Sequence, residues 1–127
     1  MSVSSVIRIV GLQRSAHPDG EFVLLQNQGL IRESPRGHVV LSDGAIQAGE
    51  LDCGAYVFQS LEPIPTGAYI LLRTGHGENK WIRSKDGALV YVVFARRNAP
   101  LWPECYGGLH VLHTQHSFVE REPVCVG

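Results

Sequence analysis

The sequence predicts an all-β domain, an antiparallel β-sandwich of about seven to nine strands. Three observations carry that expectation. Short apolar segments rich in β-branched residues recur along the chain, glycine and proline fall almost entirely between them, and one stretch alone has room for a turn of helix. At 127 residues the chain has the commonest domain length and buries enough surface to fold without a metal or a disulfide. It is read as one domain spanning residues 1–127.

Taken in order, residues 6–12 are β-branched-rich and run toward His17-Pro18-Asp19-Gly20, where proline and glycine are placed for a turn. Residues 21–27 follow, apolar on both faces at their centre, as befits a strand inside a sandwich rather than a helix. The third strand is residues 37–41, closed by Ser42-Asp43-Gly44. Residues 44–51 could hold a helical turn, which Gly49 weakens. Residues 55–58 form the fourth strand, with Pro63 and Pro65 at the next corner. Residues 68–73 form the fifth, 89–94 the sixth and most apolar, 109–114 the seventh and 117–120 an eighth.

Composition narrows the function. Hydrophobic residues make up 44% and charged residues 18%, the balance of a folded globule rather than a disordered chain. A net charge of −1 excludes a global field drawing the protein to nucleic acid or to an anionic membrane. No stretch approaches the roughly 20 apolar residues of a membrane helix. The leading run Val6-Ile7-Arg8-Ile9-Val10 is split by Arg8 and follows no basic segment, which makes it a poor signal peptide, so a cytoplasmic location is expected. Cys53, Cys105 and Cys125 are odd in number and widely spaced. They suggest reduced thiols, with one bridge in an oxidising compartment left open. No cofactor is expected.

Several segments resemble lamin-tail domains. Glu21-Phe22-Val23-Leu24-Leu25-Gln26-Asn27-Gln28-Gly29 is similar to that family's Glu-aromatic-Val-x-Leu-x-Asn-x-Gly strand, and Leu41-Ser42-Asp43 to its Leu-Ser-Asp strand end. Residues 65–77, from Pro65-Thr66-Gly67 to Thr74-Gly75-His76-Gly77, resemble its next strand with flanking turns. Tyr91, Trp102 and Gly107-Gly108-Leu109 fall in the order of its late segment. The resemblance covers about residues 5–120. The sequence departs from it where His38-Val39 replaces an aromatic, Glu104 an asparagine and Gly108 an acidic residue, and where Pro103 follows Trp102 with one extra residue before the glycine. The resemblance implies an immunoglobulin-like sandwich and a binding module rather than an enzyme. On physical grounds Asn27 and Gly29 are expected to build a tight corner through side-chain hydrogen bonds and left-handed backbone. Gly75 and Gly77 are expected in a turn that uses positive φ.

Two constellations remain as candidate sites. His110, His113 and His116 are spaced HxxHxxH, and neutral imidazole is the commonest transition-metal ligand. On a strand, however, His113 points away from the other two, and no acidic residue lies between Glu104 and Glu120 to assist them. The second is a basic segment. Residues 73–97 carry Arg73, Lys80, Arg83, Lys85, Arg96 and Arg97 against Glu78 and Asp86, with Trp81 in the middle. Residues 1–72 carry four basic and seven acidic groups, so the contrast is local. Arginine beside an aromatic suits phosphate or nucleic-acid contacts, while charge on an edge strand equally serves to block strand addition. No nucleophile elbow, P-loop or dinucleotide fingerprint is present. The favoured expectation is a non-catalytic module that binds protein, nucleic acid or itself through an exposed edge or the basic segment. The alternative is a metal-binding protein or small metalloenzyme using His110, His113 and His116.

Overall fold

The computed structural model describes residues 6–49 and 54–113. They form strands β1 (Ile7–Gln13), β2 (Phe22–Asn27), β3 (His38–Ser42), β4 (Ala55–Val57), β5 (Tyr69–Arg73), β6 (Lys80–Arg83), β7 (Leu89–Phe94) and β8 (Leu109–His113). Between β3 and β4 lies one short helix, α1 (Asp43–Ala48). The strands make two sheets, a five-stranded one in the order β1-β2-β5-β7-β6 and a three-stranded one in the order β4-β3-β8. No helix among the described residues is long and apolar enough to cross a membrane.

Register builds the core. Side chains alternate across a strand, so opposed residues stack in rows on one face. One row runs Ile9, Leu25, Ile70, Tyr91, Trp81, and the next Val23, Leu72, Val93. On the smaller sheet Val40 stands between Tyr56 and Val111. Both sets join Phe58, Ile64, Leu101 and Trp102 in a single hydrophobic cluster. Residues such as Leu25, Ile70 and Leu72 have no exposed surface, and each such burial stabilises the fold by roughly 1.5–3 kcal/mol.

Polar groups fasten the ends. Glu21, fully buried, accepts hydrogen bonds from Thr74 Oγ1 at 2.6 Å, Leu101 N at 2.7 Å and Trp102 N at 3.0 Å. Asn27, also buried, donates to Ile31 O and Ile64 O at 3.0 and 2.9 Å and accepts from Gly29 N at 2.9 Å. Those side-chain bonds match the expected corner; its glycine works differently. Gly29 does not adopt positive φ. A Cβ there would run into Val6 Cγ2, so the residue is needed for close approach. Gly77 follows the same logic, its missing Cβ making room for the Phe94 ring.

Two further expectations change. The sheets are not purely antiparallel, because β5 and β7 run parallel, with Tyr69 opposite Val90 and Arg73 opposite Phe94. β6 lies within a segment expected to be a connection; its alternation of Lys80, Trp81, Ile82 and Arg83 places too little apolar surface in sequence to mark a strand. Residues 117–120, expected as an eighth strand, lie outside the described residues. The foreseen helical turn is α1: Ser42 Oγ caps its start by accepting from Ala45 N at 3.1 Å, and Gly49, at φ 68°, ends it in the left-handed region.

Candidate functional site

Alternation separates the histidines. On β8, His110 lies opposite Leu41 on the outer face and His113 opposite His38 on the inner face. His116 lies outside the described residues. The structure therefore does not bring His110 and His113 together, and each meets an acidic partner from elsewhere in the chain. His110 Nε2 is 2.5 Å from Asp43 Oδ1, while Asp43 Oδ2 accepts from Gly108 N at 2.9 Å. The hydrogen bond to His110 and then that from Gly108 hold the Asp43 carboxyl below its usual range.

His113 stacks on His38 with ring centroids 4.0 Å apart and planes 11° from parallel. The buried His38 donates from Nδ1 to Pro35 O at 2.9 Å, which leaves the lone pair of a neutral ring on Nε2. Burial pushes the His38 pKa down, so the ring stays neutral at pH 7. His113 Nδ1 is buried and makes no hydrogen bond among the described residues; Glu33 Oε1 is 3.9 Å away. An unpaired buried group of this kind costs about 1–3 kcal/mol. Glu33, His38 and His113 each place one potential ligand atom within 4.8 Å of the others. Sequence spacing does not single out Glu33 or His38. The bridge between Glu33 and Ile64 positions the carboxylate, and only tertiary structure creates that bridge.

The basic segment disperses. Arg73 and Lys80 share the outer face of the five-stranded sheet. Trp81 points to the opposite face, 5.1 Å from Tyr91, and its indole donates to Glu62 Oε1 at 3.0 Å. Arg83 donates to Gly87 O within its own hairpin, and Lys85 is exposed in that turn. Arg96 and Arg97 follow β7, with backbone N–H groups bonded to Gly75 O and Thr74 O. Their charges partly offset the burial that raises the Tyr56 pKa. The residues are thus divided between two faces and two loops.

What the outer face holds is more coherent. Leu24, Leu71, Val92 and Lys80 form its middle row. Phe22, Arg73 and Phe94 lie to one side, and Arg8, Gln26, Tyr69, Val90 and Ile82 to the other. The floor is apolar, the charges are Arg8, Arg73 and Lys80, and no carboxylate is carried by these positions. Arg73 donates to Asp19 O at 3.0 Å at one margin. Elsewhere a cleft of about 420 Å³ is lined by Arg14, Ala16, Pro100, Pro103 and Glu104. Its guanidinium is occupied, donating to Trp102 O, Pro103 O and Gly107 O at 2.6 to 3.0 Å.

Comparison with protein-family models, curated proteins and solved structures found no match.

Proposed function

We propose that this chain is a non-catalytic interaction module of the lamin-tail kind, an immunoglobulin-like sandwich that binds an acidic, amphipathic protein segment across the outer face of its five-stranded sheet. The observation that carries the reading is the composition of that face: half-buried Leu24 and Leu71 beside the buried Val92, flanked by Arg8, Arg73 and Lys80 without a carboxylate among them. Apolar contact supplies affinity, and complementary charge supplies orientation and encounter rate. A second copy fits poorly, since a two-fold pairing of this face opposes like charges. Single-stranded nucleic acid favours aromatic platforms at the centre, where this face carries aliphatic side chains. The non-catalytic part rests on how the prominent carboxylates are used. Glu21 is saturated by three structural donors, and Asp43 joins α1 to β8.

The test is an NMR titration of the ¹⁵N-labelled chain with a glutamate-rich amphipathic peptide and, separately, with an oligothymidylate. The peptide should shift amides of Leu71, Arg73, Val92 and Lys80. The double reversal Arg73→Glu with Lys80→Glu should weaken binding at least roughly 10-fold and flatten its salt dependence. Arg83→Glu with Arg97→Glu, away from the face, should leave it intact. A face indifferent to the peptide, or one that responds to the oligonucleotide alone, sinks the reading.

A further inference from the structure

The geometry points to a zinc site: we propose that Glu33, His38 and His113 bind one Zn²⁺, with solvent completing the coordination. Four observations support it, none of them used by the binding face. The donor set is two imidazoles and one carboxylate, a combination suited to zinc and poorly suited to calcium or magnesium. One ligand atom from each residue lies within 4.8 Å of the others, and a tetrahedral zinc with bonds near 2.1 Å sets its ligands about 3.4 Å apart. The required closure is therefore a matter of side-chain torsion. His113 Nδ1 is buried without a hydrogen bond, and its 3.9 Å separation from Glu33 Oε1 is too long for one yet near the span across a bound ion. Finally, His38 Nδ1 donates to Pro35 O, the outer-sphere bond that commonly fixes the tautomer and orientation of a metal-binding imidazole.

The backbone is already arranged for this. His38 and His113 are partners in the β3–β8 register, and Glu33 is held by reciprocal backbone bonds to Ile64 at 3.0 and 3.1 Å. Three separate segments thus present their ligands from fixed main chain. The rings are stacked 11° from parallel, so binding requires them to turn until both lone pairs meet at the ion. That motion uses the broad terminal torsion of histidine and needs no backbone shift. The Glu33 and His113 side chains are 22% and 18% exposed, enough for an ion to enter and for water to remain bound.

The experiment is a zinc titration of the tag-free full chain, stripped with chelator, followed by calorimetry, thermal melting and histidine-ring NMR. One zinc per chain, a raised melting temperature, and ring-nitrogen shifts at His38 and His113 with His17 and His76 unmoved are expected. Glu33→Gln and His113→Gln should each weaken binding at least roughly 10-fold, whereas His110→Ala and His116→Ala should not. The ring shifts are read on the unmodified chain, so they decide the matter even if a variant fails to fold. No zinc-dependent shift at His38 and His113, or a response confined to His110 and His116, overturns the proposal.

Discussion

Two polar inclusions lie at the margins of the core, the Glu21 carboxylate beside Trp102 and the His38–His113 stack beside Glu33, and they are completed in opposite ways. Glu21 has no exposed surface, and both its oxygens are engaged by donors from two other parts of the chain. Among the described residues, the histidine stack leaves His113 Nδ1 without a hydrogen bond. A saturated polar group fixes a fold, whereas an unsaturated one retains the capacity to bind. Lack of a partner alone does not define a site: the Trp102 indole N–H also makes no hydrogen bond, but it is a donor without a lone pair. His113 differs because it has a second imidazole and a carboxylate for neighbours.

The largest expected effect tests the saturated end. Glu21→Ala leaves two buried backbone N–H groups and one hydroxyl unpaired, and should destabilise the protein by roughly 3–5 kcal/mol in urea unfolding. A loss below about 1 kcal/mol would show that water replaces the carboxylate. Asn27→Ala, which removes three bonds at the opposite end of β2, should cost about 2–3 kcal/mol by the same measurement. Gly77→Ala drives a methyl into the Phe94 ring and should cost about 1–3 kcal/mol, with Phe94 resonances displaced.

Acid should act on the histidine end. Because burial lowers the His38 pKa in the folded state, the unfolded chain binds the extra proton first. Stability is then fully present above the ordinary histidine pKa of about 6.5 and falls as pH drops below it. Urea midpoints between pH 8 and pH 5 should show this decline in the wild type and a shallower one in His38→Gln. The smallest effect concerns Asp43. Its carboxyl should titrate below the usual range by carbon NMR and return toward it in His110→Ala, with little change in melting temperature.

How much of this was legible in sequence depends on the range of the contacts. Residues 22–27, 69–73 and 89–94 announce themselves as strands because alternation or a continuous apolar run is a local property bounded by turns. The opposition of His110 and His113 follows from the same period of two. β6 escapes notice because an edge strand needs only one apolar neighbour and carries Lys80 and Arg83. Parallel pairing of β5 with β7 is also invisible, since nothing local distinguishes a strand that returns in the same direction. The histidine spacing pointed toward metal chemistry yet named one of the three residues that cluster. The other two come from about 75 positions earlier in the chain, brought in by β3 and by the bridge to Ile64. The spread of the basic segment over two faces has the same origin, because charge counted along a chain ignores the pleat.

The pairing of β3 with β8 also has a consequence for biosynthesis. Ser42 meets Leu109 and His38 meets His113, so the smaller sheet joins stretches of polypeptide made far apart in time. A ribosome that has finished β4 has produced a two-stranded ribbon whose flank at β3 stays open until β8 emerges. Refolding should accordingly be slow, on the order of milliseconds to seconds, as in other domains dominated by distant pairings. Chains ending before Leu109 should self-associate along β3.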